Sequence, residues 1–264
     1  MSTLTTTSST STILSSTTAS PSEIYIPPRT TYKCPTQCDC FNVDETIDCS
    51  HRGLNLLPSF SFNTKRLYLE DNRVSHIALD SFSSAPELLL IVLERNEVSH
   101  VDTASFCAFH KKLRRLYLQD NKLKYINVTG VYTLETLDLS YNKLESIPKD
   151  WLVGLRNLQI LNLSHNNIIS LDWNAFKQSS IMLTLDISFN KITSLSNFGL
   201  NRLTKIDASH NCISSLDVNT FEHLHQTITG IDLSYNNIST FDSQIFKQTH
   251  NLQSLNLAYN KLFK

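Results

Sequence analysis

Four of the six cysteines lie within 16 residues, and a cluster of this density has two chemical interpretations. The members of the cluster are Cys34, Cys38, Cys40 and Cys49. They can form disulfides in an oxidising compartment, or bind zinc as thiolates in a reducing one. Sequons for N-glycosylation at Asn127, Asn162 and Asn237 favour the secretory pathway and therefore disulfides. Spacing alone leaves three possible connectivities for the four residues.

Residues that could form a hydrolytic triad also occur, but they do not indicate an enzyme. His165 and His210 directly follow Ser164 and Ser209, and Asp207 lies close by in the chain. We expect all of these side chains to be open to water, without a pocket or donors for an oxyanion. GxSxG, HExxH and Walker-type motifs are missing, and glycine is scarce. The sequence therefore predicts no catalytic residue, no cofactor and no metal site.

Charge and hydropathy exclude two further classes of function. The net charge is −1, with 23 basic and 24 acidic residues, so there is no basic surface for nucleic acid. No segment of the chain approaches the roughly 18 consecutive apolar residues of a membrane helix. The N-terminus also lacks the basic and apolar regions of a signal peptide.

The elements that position these residues follow from a repeat, of which Leu134–Ile147, LETLDLSYNKLESI, is one copy. The pattern is apolar at positions 1, 4, 6, 11 and 14, with asparagine at position 9. It recurs at spacings of 21 to 25 residues, and position 1 falls on Thr64, Leu88, Leu113, Leu134, Leu158, Met182, Leu203, Ile228 and Leu252. The asparagines at position 9 are Asn72, Asn96, Asn121, Asn142, Asn166, Asn190, Asn211, Asn236 and Asn260. This is the period and pattern of leucine-rich repeats.

The pattern predicts an α/β-type solenoid. Positions 3–8 alternate, so each copy should contribute a short strand whose residues 4 and 6 point inward. Stacked copies should form a parallel concave sheet, with a mostly irregular or short-helical convex side, in a horseshoe. The asparagine amide should pair with backbone groups of its own and the adjacent turn. An aromatic spine is expected from the phenylalanines at position 19, Phe82, Phe106, Phe176, Phe221 and Phe246.

On these residues, the chain resembles extracellular leucine-rich-repeat proteins, among them Toll-like receptor ectodomains, Slit-type guidance proteins, small leucine-rich proteoglycans and variable lymphocyte receptors. The cysteine cluster and the following RGLNLLP are similar to the N-terminal cap of that family. The resemblance implies that Cys34 pairs with Cys40, and Cys38 with Cys49. It also implies an extracellular location for the chain.

Three regions are expected along the chain. Residues 1–33 form a Ser/Thr-rich leader that we predict to be disordered, either a glycosylated stalk or a plain tail. Residues 34–63 form the cysteine-rich cap, and residues 64–264 form about nine repeats, of which the last is incomplete. We find no second cysteine cluster that would cap the C-terminal end, so we expect a fragment whose exposed end can form a homodimer. Cys107 and Cys212 lie too far apart to pair and are expected to be buried thiols.

A protein ligand is the expected partner, and the concave face is where we expect it to bind. The first three copies place tyrosine, aliphatic side chains and arginine on this face, the composition of interface hot spots. The predicted binding residues are Arg66, Tyr68, Leu90, Val92, Arg115, Tyr117, Asp138 and Tyr141. A glycan at Asn162 would block the middle of the face. The predicted function is ligand binding in a receptor or adhesion ectodomain, and the alternative is a structural matrix component.

The later copies place columns of aspartate and serine on the same face, and these have two interpretations. The aspartates Asp186, Asp207 and Asp232 are expected to lie roughly 5 Å apart, where they repel one another and could attract a basic partner. The same residues are also ordinary solvated positions of such repeats. We favour the second interpretation.

Overall fold

A computed structural model describes residues 34–41, 45–102, 105–106, 112–196, 199–224 and 226–263. The predicted leader, residues 1–33, and Cys107 lie outside the described residues. None of the helices in the described ranges is long and apolar enough to cross a membrane.

One sheet of eleven strands runs through the described part of the chain, with the strands in sequence order. The first two strands pair antiparallel, and every later pair is parallel. The strands are β1 Asp39–Phe41, β2 Thr46–Asp48, β3 Arg66–Tyr68, β4 Leu90–Val92, β5 Arg115–Tyr117, β6 Thr136–Asp138, β7 Ile160–Asn162, β8 Thr184–Asp186, β9 Lys205–Asp207, β10 Gly230–Asp232 and β11 Ser254–Asn256. The predicted parallel-sheet solenoid is confirmed.

The strands are shorter than predicted, and the chain turns out of the sheet at position 8. Each strand from β3 onward covers only positions 3–5 of its copy. At position 8 every copy has a positive φ, between 51° and 56°. The residues concerned are Asp71, Arg95, Asp120, Tyr141, His165, Phe189, His210, Tyr235 and Tyr259. This left-handed residue turns the chain out of the sheet just before the position-9 asparagine.

Outside the large sheet, short strands, short helices and turns connect one copy to the next. Three two-stranded sheets join His76–Ile77 to His100–Val101, Ser146–Ile147 to Ser170–Leu171, and Ser194–Leu195 to Ser215–Leu216. The helices of the described residues are all of the 3-10 type, at Trp173–Gln178, Glu222–Leu224 and Ser243–Phe246. Turns make up much of the remaining convex side. The convex side is therefore irregular and short-helical, as predicted.

The asparagine at position 9 joins neighbouring copies through the backbone, as the sequence predicts. The Nδ2 of Asn142 donates to the carbonyl of Leu118 in the preceding copy at 2.9 Å. It also donates to Leu139 and Ser140 in its own copy, both at 3.1 Å. Its Oδ1 accepts from the backbone N–H of Leu123 at 2.9 Å. One side chain thus forms hydrogen bonds with backbone carbonyls just after the strand and with a backbone N–H of the preceding copy.

Phenylalanines stack inside the convex side, which confirms the predicted aromatic spine. Phe82, Phe106, Phe176 and Phe221 are fully buried. Ring centroids of Phe82 and Phe106 lie 5.7 Å apart, and those of Phe221 and Phe246 also lie 5.7 Å apart. At the same position copies three, four and six have Val131, Leu152 and Leu200, which belong to the same buried apolar cluster as the phenylalanines.

The cysteines behave as the resemblance implies at the N-terminal end, but not at Cys212. Disulfides join Cys34 to Cys40 and Cys38 to Cys49 ahead of the first repeat. Cys212 was expected to be buried, and this prediction is wrong, since its side chain is exposed. It is residue 10 of its copy, directly after the position-9 Asn211, where its backbone N–H bonds to the preceding copy and its side chain points outward.

Candidate functional site

Three strands at the N-terminal end of the sheet bring the predicted binding residues into two rows. In the first row, Leu90 of β4 is the register partner of Arg66 in β3 and of Arg115 in β5. In the second row, Val92 is the partner of Tyr68 and of Tyr117. Because adjacent strands lie about 4.8 Å apart, each row is one continuous strip of side chains. We call these two rows the tyrosine–arginine surface.

The tyrosine–arginine surface differs from the prediction at its centre. Arg66 and Arg115 are exposed, and Tyr68, Leu90 and Tyr117 are partly exposed. Val92 was expected to be an exposed anchor, but it is only 6 % exposed. Its short side chain lies between two tyrosines in the register, so the accessible apolar area belongs to the rings. Val92 therefore supports the surface from below instead of contacting a ligand directly.

A charged edge lies beside this surface at positions 7 and 8. The Nε of Arg95 donates to both carboxylate oxygens of Asp71, each at 2.9 Å, and its guanidinium also contacts Glu94. The bond to Asp71 raises the pKa of Arg95 and more than offsets the partial burial that lowers it. Ser50 donates to Glu70 at 2.7 Å on the same edge. The side chains that flank the tyrosines are thus mutually bonded, which holds them in place before any ligand binds.

Asp138 and Tyr141 mark the boundary of the tyrosine–arginine surface. Asp138 is the register partner of Tyr117 on one side and of Asn162 on the other. Its Oδ1 accepts from the backbone N–H and the hydroxyl of Ser140 at 2.9 and 2.7 Å. Tyr141 is 54 % exposed and begins a different surface.

That different surface is a ladder of stacked rings at position 8 of successive copies. The ring centroids of neighbouring members lie 4.0 to 4.2 Å apart, and the ring planes are within 12° of parallel. The members of this ring ladder are Tyr141, His165, Phe189, His210, Tyr235 and Tyr259. Rings at one template position of adjacent parallel strands have to meet at about the strand spacing, and this was the available signal.

The aspartate and serine columns bond to each other along each strand. In β8 the Oδ1 of Asp186 accepts from the backbone N–H and hydroxyl of Ser188 at 2.9 and 2.7 Å. The same pair of bonds joins Ser234 to Asp232. Each aspartate thus closes a local turn at the end of its strand, which supports its interpretation as part of the scaffold. A depression of about 350 Å³ lies above these strands at Gly230, because glycine has no side chain to fill it.

The pKa values of the two aspartates move in opposite directions. Burial raises the pKa of Asp186, and the nearby charges of Asp207 and Asp138 add to this, against the bonds from Ser188. Burial also raises that of Asp232, but the bonds from Ser234 and Asn256 outweigh it, so the pKa of Asp232 is lowered. The two aspartates thus differ in that Asp232 accepts an additional bond from Asn256 of the next copy, at 2.9 Å, whereas the charges of Asp207 and Asp138 act on Asp186.

We expect the Asp186→Asn variant to be more stable than the wild type at neutral pH. A carboxyl whose pKa is raised by folding penalises the folded state above that pKa, and the penalty disappears below the pKa of the unfolded chain. Asparagine accepts from the same serine, as Asn162 does. The melting temperature should rise by about 2–4 °C for each kcal/mol of penalty removed.

The measurement is thermal unfolding of both proteins between pH 3 and pH 8. The gain should be largest at neutral pH and shrink as the solution becomes acidic. The exposed Asp150→Asn variant, with the same change of charge, should show no gain. A gain at Asp186 that stayed constant down to pH 3 would contradict the assignment of the penalty to ionisation.

The residues considered for a triad do not assemble into one. His165 and His210 stack within the ring ladder, each about 4 Å from its two neighbours. The hydroxyl of Ser164 donates to Asn162 at 2.8 Å, and the backbone N–H of Ser209 bonds to Asp207. The serines are thus paired with the strand residue two positions earlier, and the histidines with aromatic rings.

The three sequons occupy different surfaces of the solenoid. Asn162 lies on the concave face in β7, where its Nδ2 donates to Asp138 at 3.2 Å. Asn127 accepts from the backbone N–H of Thr129 in a turn outside the strands. Asn237 is residue 10 of its copy, the outward position also held by Cys212. A glycan at Asn162 would replace one N–H of that amide and stand between the tyrosine–arginine surface and the later strands.

Comparison with known proteins shows one family along most of the chain. The family described as "Leucine rich repeat" matches residues 62–123, 111–168, 156–213 and 201–262. Keratocan of Bos taurus is 31 % identical over 152 residues, 56 % of this chain and 42 % of keratocan. Lumican of Gallus gallus is 30 % identical over 166 residues, 61 % of this chain and 48 % of lumican.

A third relative matches a longer part of this chain than keratocan and lumican do. "Leucine-rich repeats and immunoglobulin-like domains protein 1" of Homo sapiens is 32 % identical over 199 residues, 73 % of this chain and 18 % of that protein. The chain thus spans less than half the length of these curated relatives.

Proposed function

This chain belongs to the leucine-rich repeat family, and from that premise we propose that its concave face binds a protein ligand through the tyrosine–arginine surface. The function is that of a binding module in an extracellular receptor or adhesion protein, without catalysis and without a role in nucleic-acid binding. Two disulfides ahead of the first repeat support the extracellular location. The relatives are extracellular-matrix or cell-surface proteins, which supports the same location.

The observation that carries the proposal is that two exposed arginines and two tyrosines lie in neighbouring rows of one sheet. Tyrosine and arginine are the residue types that most often dominate the binding free energy of protein interfaces. The sheet holds Tyr68 and Tyr117 two strands apart, with the buried Val92 between them. The backbone below these side chains is already fixed by the sheet, so binding does not have to order it.

The remainder of the concave face supports the proposal by contrast. In the later strands, Asp186 and Asp232 are bonded to serines of their own copy. The amide of Asn162 is bonded on both sides, by Ser164 and to Asp138. Those side chains would have to break existing bonds before they could recognise a ligand, whereas the tyrosine rings would not.

We expect the double variant Tyr68→Ala/Tyr117→Ala to lose its ligand. Each substitution should weaken binding by about 1–2 kcal/mol, because it removes a ring from the centre of the contact. Ligands are captured from an extracellular protein mixture with the immobilised wild-type chain and identified. The affinity of each variant is then measured with the purified ligand.

Tyr235→Ala/Tyr259→Ala is the matched control. It removes the same number of tyrosines, but from the ring ladder at position 8 of the last two copies. This control should retain the affinity of the wild type. Equal affinity of the wild type and the Tyr68→Ala/Tyr117→Ala variant, with both folded by circular dichroism, would contradict the proposal.

The alternative function is a structural component of the extracellular matrix. It is supported by the similarity to keratocan and lumican, which are small leucine-rich proteoglycans. The two functions differ in the rest of the protein. A membrane helix followed by a signalling domain would favour the receptor, whereas Ser-Gly sites for glycosaminoglycan would favour the matrix protein.

Self-association through the C-terminal end of the repeats stays a prediction. In the 264-residue chain, Leu255 of β11 is 38 % exposed, whereas Leu161 and Leu185 at the same template position are fully buried. A second copy that covered this surface would remove it from water. Sedimentation of this chain at increasing concentration should then reveal a homodimer.

A further inference from the structure

Two histidines and an aspartate converge on the lateral side of the first two repeats. His76 and His100 are directly paired in a two-stranded sheet, at the same template position of adjacent copies. The Nε2 of His76 lies 2.8 Å from Oδ1 of Asp102, and the Nε2 of His100 lies 3.2 Å from the same oxygen. The ligand atoms of all three residues lie within 4.8 Å of one another.

From this arrangement we propose that His76, His100 and Asp102 bind a zinc ion. Imidazole nitrogen and carboxylate oxygen are ordinary zinc ligands, at about 2.0–2.2 Å from the metal. Two ligands on a tetrahedral ion at that distance lie about 3.4 Å from each other. The two nitrogen–oxygen separations are 2.8 and 3.2 Å, and all three ligand atoms lie within 4.8 Å of one another, so rotations of the two exposed rings bring the three atoms to bonding distance.

The carboxylate is held by the backbone in the orientation that such a site needs. The Oδ2 of Asp102 accepts from the backbone N–H of Leu79 at 3.1 Å, which leaves Oδ1 facing the two imidazoles. The backbone N–H of Asp102 donates to the carbonyl of Ile77 at 2.9 Å. Partners of this kind orient metal ligands and are an integral part of metal sites.

The site is specific to the first two copies. In four later copies the residue at the position of His76 and His100 is a serine, Ser146, Ser170, Ser194 and Ser215. The paired histidines are therefore not a requirement of the repeat. The equivalent position of His76 and His100 in adjacent copies is a sequence signal of their contact.

A zinc ion here would join one copy to the next and remain accessible. His76 belongs to the first copy, and His100 and Asp102 belong to the second. Binding to the folded chain alone raises its stability by mass action. Since the protein supplies three ligands, the fourth position of a tetrahedral ion is left for water or for a ligand atom of a partner. This site is separate from the tyrosine–arginine surface, and its existence does not depend on that surface.

The test is zinc binding by the whole chain, purified without a histidine tag and in a Cys212→Ser background, which removes the exposed thiol. Zinc chloride is titrated at pH 7.5 by calorimetry, and thermal unfolding is measured with and without the metal. We expect one zinc ion per chain and a higher melting temperature in its presence. Cobalt(II) should give the intense visible absorption of a tetrahedral site.

Matched variants make the result specific. The His76→Ala/His100→Ala variant should lose the binding and the rise in melting temperature, and both replaced side chains are exposed, so the fold should persist. His51→Ala is the control, because His51 lies 3.4 Å from Asp71 without belonging to a three-ligand cluster, and it should bind zinc like the parent. No zinc bound by the parent, or equal binding by the double variant, would overturn the proposal.

Discussion

Replacing Phe82 with alanine is expected to lower the free energy of unfolding by about 3–5 kcal/mol, the usual cost of removing a fully buried phenylalanine. Phe82 is 0 % exposed and is the middle ring of a stack. Its ring centroid lies 6.2 Å from that of Phe60 and 5.7 Å from that of Phe106. The substitution therefore leaves a cavity and separates the two outer rings, so both the burial and the ring contacts are lost.

Chemical denaturation monitored by circular dichroism measures this effect, and Phe62→Ala provides the control. Phe62 is 53 % exposed, so the same substitution there should change stability by no more than about 0.5 kcal/mol. Equal losses for the two variants would mean that the stability of the chain does not depend on the aromatic spine.

The Asn166→Ala variant is expected to lose about 3 kcal/mol, because one side chain satisfies four backbone groups at the centre of the solenoid. Its Nδ2 donates to the carbonyls of Leu139, Leu163 and Ser164 at 2.9, 3.0 and 3.1 Å. Its Oδ1 accepts from the backbone N–H of Leu144 at 2.9 Å. Alanine would remove the acceptor of the buried Leu144 N–H and one of the donors to each carbonyl, which would keep those from Asn142, Asn190 and the backbone N–H of Tyr141. Since each repeat contacts only its neighbours, the loss also weakens the coupling between the two halves.

Asn167→Ala, the same substitution one residue later, is the control for this prediction. Asn167 is partly exposed, and its backbone N–H donates to the carbonyl of Leu144 at 2.9 Å, a bond that alanine keeps. We expect near-native stability for Asn167→Ala and a lower, broader unfolding transition for Asn166→Ala. A sharp transition at the wild-type midpoint for Asn166→Ala would show that solvent can replace the amide.

Features that depend on one copy and its direct neighbour could be predicted from the sequence. The position-9 asparagines and the position-19 phenylalanines recur in phase, and their roles follow from a backbone that needs partners and a core that needs filling. A buried residue such as Phe176 has few alternatives once the register is fixed. The cap disulfides were accessible only through resemblance, since spacing alone allows three pairings.

Features that depend on side-chain size across several copies, or on the exact path of the backbone, could not be predicted. Alternation assigns Val92 to the concave face, but its burial depends on the two larger residues beside it. Cys212 follows a buried asparagine, yet its side chain points outward because position 10 begins the outward turn. The contact of His76 with Asp102 requires the exact path of the second copy after its short strand, which hydrophobic periodicity does not contain.

The two concave surfaces explain why only part of the face is suited to recognition. From Tyr141 onward, the ring ladder and the aspartate–serine bonds engage the side chains with one another. Before Tyr141, the rings of Tyr68 and Tyr117 stand between charged neighbours that are already fixed, such as the Arg95–Asp71 pair. A ligand that docks there covers apolar rings at little cost in existing hydrogen bonds.

Hydroxyl-radical footprinting of the chain with its captured ligand tests the central claim most directly, because it locates the contact without changing a residue. Tyrosine rings are oxidised where solvent reaches them, and the four rings to compare are those of Tyr68, Tyr117, Tyr235 and Tyr259. We predict that the ligand protects Tyr68 and Tyr117 and leaves Tyr235 and Tyr259 as reactive as in the free chain. Protection of Tyr235 and Tyr259 with unchanged oxidation of Tyr68 and Tyr117 would contradict the account.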